Sequence, residues 1–110
     1  MIEKHYWKIK QAALDIDLCV VSKHHSIEEI QSYYDAGERI FAENRAAELI
    51  FKANALPKDI AWHYIGHLQR NKVKEILPIV SCIQSLDNIA LAKVIEKEAT
   101  KLNRTVDVLI

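Results

Sequence analysis

Short apolar runs separated by amphipathic stretches set the rhythm of this chain. Leu18-Cys-Val-Val21 carries two β-branched valines and predicts a short buried strand, with Lys23 just past its end. Four more runs follow, at Arg39–Phe41, Ala61–Ile65, Ile79–Ile83 and Val106–Ile110. Between the runs, apolar residues recur at helical spacing. Ile2, Tyr6, Ile9 and Ala13 make one stripe of a leading helix over residues 2–14. Ser26-Ile-Glu-Glu29 reads as a capping box, in which hydroxyl and carboxylate each satisfy an amide at the helix start. Behind it Ile27, Ile30 and Tyr34 face inward, and Gly37 ends the helix. The loop Ala42-Glu-Asn44 leads to a helix running to about Ala53, with Ala46, Ala47, Ile50 and Phe51 as its buried side. Pro57 and Asp59 punctuate the next connection, and Gly66 breaks the third strand. A short helix over Asn71–Leu77 stops at Pro78. Asp87 is placed to cap a long helix that turns Ile89, Ala92, Ile95, Ala99 and Leu102 to one side.

The resulting order is a helix, four β–α units and a fifth strand, an α/β pattern that implies parallel pairing with right-handed crossovers. Such a chain forms either a complete open doubly wound sheet or the first half of an eight-stranded TIM-type barrel. At 110 residues it reads as a single domain, 1–110, long enough to bury a core. Lys+Arg and Asp+Glu balance at 15 each, so no global basic field draws it to nucleic acid or to an anionic membrane. The absence of a signal-peptide pattern and of any long apolar run points to the cytoplasm. Cys19 and Cys82 each sit in an apolar run and are expected as small buried hydrophobes in a reducing compartment, not as a disulfide or a metal pair. No GxGxxG or P-loop motif supports a nucleotide-binding fold, and the chain has only two glycines.

In either parallel architecture, ligands sit beyond the carboxyl ends of the strands. Lys23, Asn44 and the segment Gly66-His-Leu-Gln69 follow the first, second and third strands, so their loops converge on one mouth. A lysine amine there can condense with an aldehyde, provided its pKa is lowered enough to supply the neutral amine. Asn44 offers a neutral donor and acceptor for a heteroaromatic ring. His63 lies within the third strand and points either into the core or toward the mouth. His63 and His67 have the four-residue spacing of a helical zinc pair, but Gly66 and the strand character of 61–65 remove that geometry, so no metal site is expected. Gln69-Arg-Asn-Lys-Val-Lys74 is locally basic and reads as a solvated helix face.

Trp62-His-Tyr-Ile-Gly-His-Leu-Gln-Arg-Asn-Lys72 resembles the signature of the pyridoxal-phosphate homeostasis protein family, whose fold is similar to the N-terminal barrel of alanine racemase. Val20-Val-Ser-Lys23 resembles that family's AVSK strand end. Asp35-Ala-Gly-Glu-Arg-Ile-Phe-Ala-Glu-Asn44 resembles its AGxRxFGEN segment, and Gln84-Ser-Leu-Asp87 its hSvD stretch. The resemblance implies the barrel alternative, specifically the first half of a TIM-barrel-like, alanine racemase N-terminal-type fold. It implies that Lys23 carries pyridoxal 5'-phosphate (PLP) as a Schiff base, that Asn44 contacts the ring, and that His63 and Ile65 line the cofactor's side of the barrel. Family members carry, buffer or deliver PLP without catalytic turnover, so PLP-dependent apoenzymes are the implied partners.

Two departures stand out. Ala42 replaces the family's glycine, which brings a methyl toward the loop and disfavours positive φ there. Tyr64 stands where phenylalanine or methionine is usual. Family members also continue through strands six to eight, where their phosphate-binding serine, arginine and glycine lie. The chain therefore reads as an N-terminal half with unpaired edges at its first and fifth strands, which favours a homodimer. Two alternatives stay open. A racemase-like enzyme needs a second acid/base opposite Lys23, for which Tyr6, Tyr33, Tyr34 and Tyr64 offer no obvious candidate. A fragment would keep the fold and lose the cofactor.

Overall fold

Successive β–α units place each strand beside the last, and the observed sheet follows that rule without exception. The computed structural model describes residues 3–12 and 15–110. Its elements are α1 (Lys4–Ala12), β1 (Val20–Val21), α2 (Ile27–Asp35), β2 (Ile40–Glu43), α3 (Ala46–Ala55) and β3 (Ala61–Tyr64). A 3-10 turn, Arg70–Lys72, continues into α4 (Val73–Ile76), followed by β4 (Val80–Ile83), α5 (Ile89–Lys101) and β5 (Asp107–Val108). All neighbouring strands pair in parallel, in the order β1-β2-β3-β4-β5. A doubly wound sheet reverses direction at a switch point, and this one does not. Winding in one direction with right-handed crossovers puts the helices on one face, as in a barrel.

The two sheet faces differ accordingly. Trp62 and Tyr64 are buried while Ala61 and His63 are only half-buried, the alternation expected of a strand covered on one side. Phe41, Trp62 and Val80 meet Ile30, Leu49, Ile76 and Leu91 in the layer between sheet and helices. The register of β3 on β4 slips between Trp62 and His63, so that Cys82 comes level with His63. Ser81 sits at the slip, its hydroxyl donating to Trp62 O at 3.3 Å. α1 is held to the rest by one buried carboxylate: Glu38 accepts from the Tyr6 hydroxyl and pairs with Lys10 at 2.9 Å.

The capping box at Ser26 and Glu29 forms as expected, and Gly37 ends α2 with φ at 111°. Other expectations shift. On α1, Tyr6 is buried but Ile9 is exposed, and Ile2 and Ala13 lie outside the described residues. On α2 the fully buried tyrosine is Tyr33, while Tyr34 reaches out to donate to Asp59 at 2.6 Å. On α3 the buried positions are Ala46, Leu49, Lys52 and Ala53, and Phe51 is 65% exposed. Ala42 and Glu43 belong to β2 and not to a loop. Asn88, not Asp87, caps α5, accepting from Leu91 N at 2.7 Å, and the buried pair on that helix is Leu91 and Ile95, with Ile89 and Leu102 exposed. Ile65 and Ile79 fall just outside their strands, and β5 is limited to two residues. Cys82 is buried but Cys19 is exposed, and Val21 is 44% exposed. Both belong to the edge around β1, which has a neighbour on one side only. Ala42 is fully buried and has no positive φ, so the methyl in place of glycine strains nothing.

Candidate functional site

The carboxyl ends of β1 to β4 are laced together by a short series of hydrogen bonds. Beyond β1, Ser22 to His25 form a turn closed by His25 N donating to Ser22 O at 3.0 Å. Lys23 is exposed in this turn and makes no ion pair among the described residues. His24 follows with φ at 66°, the left-handed conformation that a β-carbon disfavours. Ser22 itself is fully buried, its amide donating to Ala42 O at 3.0 Å.

Glu43 ends β2 with its side chain on the helix side, where it meets Lys52 of α3 at 2.8 Å. Both are buried, and the Ser22 hydroxyl donates to the same carboxylate oxygen, Oε2. Lys52 also donates to Ser22 O at 2.9 Å. Asn44 comes next. Its carbonyl accepts from the Tyr64 hydroxyl at 3.1 Å, and it lies hard against Gly66: a β-carbon at 66 would sit 2.2 Å from Asn44 O. Gly66 is therefore required by the close approach of two loops, a stronger reason than strand breaking alone. The Ser85 hydroxyl donates to Gly66 O and brings the β4 loop into the same cluster.

His63 occupies the open face of the sheet, opposite Trp62 and Tyr64. The Gln84 side-chain amide lies 2.8 Å from its Nδ1. With that amide as donor, Nδ1 accepts and the ring is neutral with its proton on Nε2. Burial lowers the His63 pKa and the Asp107 carboxylate partly offsets this, which agrees with a neutral ring. Ile65 is half-buried, and its amide donates to Glu43 O at 2.9 Å. Burial raises the thiol pKa of both cysteines, with Asp107 adding to it at Cys82 and Cys82 adding to it at Cys19; Cys82 and Asp107 are level with His63 in the sheet.

The structure thus gathers the backbones that carry Lys23, Asn44, His63 and Ile65 at one end of the sheet. It adds Gln84, Ser22, Glu43 and Lys52, which sequence reading passed over. A buried lysine leaves no mark in a hydropathy pattern, and Glu43 stood in what looked like a loop. The basic segment Gln69–Lys74 is largely exposed, and Lys72 pairs with Glu75 at 3.4 Å. A cavity of about 450 Å³ opens nearby, between His67, Arg70 and Asn88, and contains none of the four candidate residues. Among the described residues, no group of three or more His, Cys, Asp and Glu is arranged to hold a metal ion. No helix of the described residues is long and apolar enough to cross a membrane.

No protein-family model matches the chain. Individual proteins do. It is 40% identical over 91 residues to the pyridoxal phosphate homeostasis protein of Synechocystis, covering 81% of this chain and 42% of that protein. The protein of the same name from Aquifex aeolicus is 45% identical over 84 residues, which are 76% of this chain and 37% of the relative. This chain is a relative of the pyridoxal phosphate homeostasis proteins. It spans less than half the length of these two relatives. Among solved structures, PipY of Synechococcus elongatus without PLP superposes with a TM-score of 0.82 at 34% identity, over 91% of this chain and 50% of PipY. PipY with PLP bound gives 0.80 at 31% identity, over 93% and 51%. The sheet and helices described above are therefore half of a TIM-barrel-like fold.

Proposed function

We propose that this chain binds PLP as a Schiff base on Lys23 and takes part in PLP homeostasis as a holder of the cofactor, without turnover. The observation that carries this reading is the exposed amine of Lys23, without an ion pair among the described residues, in a turn at the carboxyl end of β1, in a chain similar to PipY, which has been solved with PLP bound. Lys23 would hold the cofactor through its amine, which would condense with the aldehyde that PLP supplies, water leaving as the C=N bond formed. Asn44, His63 and Ile65 take the ring side of that site. A neutral His63 with its proton on Nε2 offers one donor toward the mouth and does not repel a cationic ring nitrogen.

The four tyrosines give no support to a racemase. The Tyr6 hydroxyl donates to buried Glu38, Tyr33 is buried, Tyr34 donates to Asp59, and Tyr64 donates to Asn44 O from the helix side of the sheet. None stands opposite Lys23 as a second acid/base. Barrels of this class commonly hold a ligand's phosphate on loops after their last two strands, and the part of the relatives matched here carries five strands. Each charge-assisted hydrogen bond to phosphate is worth about 1.5–3 kcal/mol. PLP binding by these residues alone is accordingly weaker than that of a full-length relative. Delivery to PLP-dependent apoenzymes and homodimerisation through the sheet edges at β1 and β5 belong to the same proposal.

The test is an absorbance titration with PLP, run beside Lys23→Ala, followed by borohydride reduction and peptide mass mapping. A saturable imine band, lost in the variant and traced to Lys23, supports the reading. Equal labelling of many lysines in both proteins would sink it.

A further inference from the structure

Ser22, immediately before Lys23, is bonded at every polar atom it has. Its amide donates to Ala42 O at 3.0 Å, its hydroxyl lies 3.0 Å from the same oxygen and also reaches Glu43 Oε2, and its carbonyl accepts from His25 N and Lys52 Nζ. Lys52 rises from α3 and is 6% exposed, at a depth where an apolar side chain would ordinarily fill the space. Its ammonium sits 2.8 Å from Glu43 and 2.9 Å from Ser22 O, and the half-buried partner Glu48 is farther, at 3.6 Å. The pair therefore binds three pieces: the turn that presents Lys23, the strand end that presents Asn44, and α3 behind both. The turn needs such support, because His24 holds a left-handed φ of 66° without being glycine.

We infer that the buried Glu43–Lys52 pair, acting through Ser22, is a positioning device that sets the turn carrying Lys23. This rests on the reading of Lys23 as the PLP-bearing residue. Nothing in the pair touches the open face, so Glu43 and Lys52 act only through the backbone they hold. A buried pair of this kind is weak as a source of stability, since desolvation consumes much of the attraction. Its use here is geometric.

The experiment compares the wild-type chain with Glu43→Gln/Lys52→Met, which removes both charges together and strands neither. Amide hydrogen exchange is read at His25, whose N–H closes the turn, and at Ala61 and Ile65, whose amides donate to Arg39 O just before β2 and to Glu43 O at its end. The expected result is exchange at His25 at least about tenfold faster, with Ala61 and Ile65 unchanged, the loss of one hydrogen-bonded constraint being of that order. Borohydride trapping with PLP should lose its preference for Lys23 in the same variant. Unchanged exchange and labelling in a folded variant would overturn the inference, and so would faster exchange spread evenly over the sheet. Should the double variant fail to fold, Ser22→Ala, which removes the hydroxyl's contacts to Glu43 and to Ala42 O and leaves the charged pair in place, is judged by the same two results. If the wild type itself shows no preference for Lys23, the PLP reading fails, and His25 exchange alone decides whether the pair sets the turn.

Discussion

The His63 ring sits between two opposed influences, burial favouring the neutral imidazole and the Asp107 carboxylate favouring the cation. Burial is the larger, so its pKa lies below the ordinary 6.5. In the unfolded chain the ring protonates near pH 6.5 while the folded ring is still neutral. Unfolding then takes up a proton, and stability must fall as pH drops from about 7 through that window, levelling off below the folded value. Urea unfolding of wild type and His63→Gln between about pH 5 and 7.5 should show a steeper acid loss in the wild type. Equal slopes would mean that the ring is not desolvated as described. Gly66 makes a second, sharper case. Gly66→Ala places a methyl 2.2 Å from Asn44 O, so backbone must move. The expected cost is about 1–3 kcal/mol, read as a drop in melting temperature of about 4–8 °C for each kcal/mol. Both residues could be named from the sequence, yet their reasons could not: the partner of Gly66 is 22 positions away, as residue numbers 44 and 66 show, and that of His63, Gln84, lies just past the end of the next strand.

Elements were legible where the signal was local. The capping box of α2, the left-handed Gly37 and the alternation of strands and helices all depend on residues within a few positions of one another. The buried faces of α3 and α5 differ from the faces that hydrophobicity alone predicts. On α3 a Phe-led stripe predicted Phe51 inside, but Lys52 goes in, drawn by Glu43 and Ser22 O, and Phe51 is turned out. The helix thus follows a charge pair that no amphipathic pattern displays. This gives a paired prediction. Leu49→Ala, at a fully buried position, should cost about 2–5 kcal/mol. Phe51→Ser should stay within about 0.5 kcal/mol of wild type, despite replacing the larger side chain. Chemical denaturation of the two variants measures both, and a reversed ranking would restore the Phe-led face.

At the scale of the whole molecule the decisive feature is that helices occupy one face of the sheet while the other is uncovered among the described residues. The order β1 to β5 leaves β1 and β5 as edges, neither with a strand on its outer side among the described residues. Val21 at one edge is 44% exposed and Val108 at the other 38%, so apolar side chains accompany both edges. In a closed barrel of eight strands neither edge would exist. A parallel half-sheet with this exposure should associate with its like, because pairing at β1 or β5 satisfies backbone groups and covers apolar surface together. Sedimentation velocity over a rising concentration series should therefore show dimers or larger species of the wild-type chain. Val21→Lys puts a charge on the β1 edge, the device natural sheets use against such pairing. It should move the chain toward monomer while leaving its melting temperature nearly unchanged, since Val21 contributes little to the buried core. A wild type that stays monomeric throughout, or a Val21→Lys chain that associates as before, would place the contact elsewhere or remove it. The same series run with saturating PLP links the two scales: if the open face forms part of the PLP site, association and PLP binding must shift one another in the same direction and by the same factor.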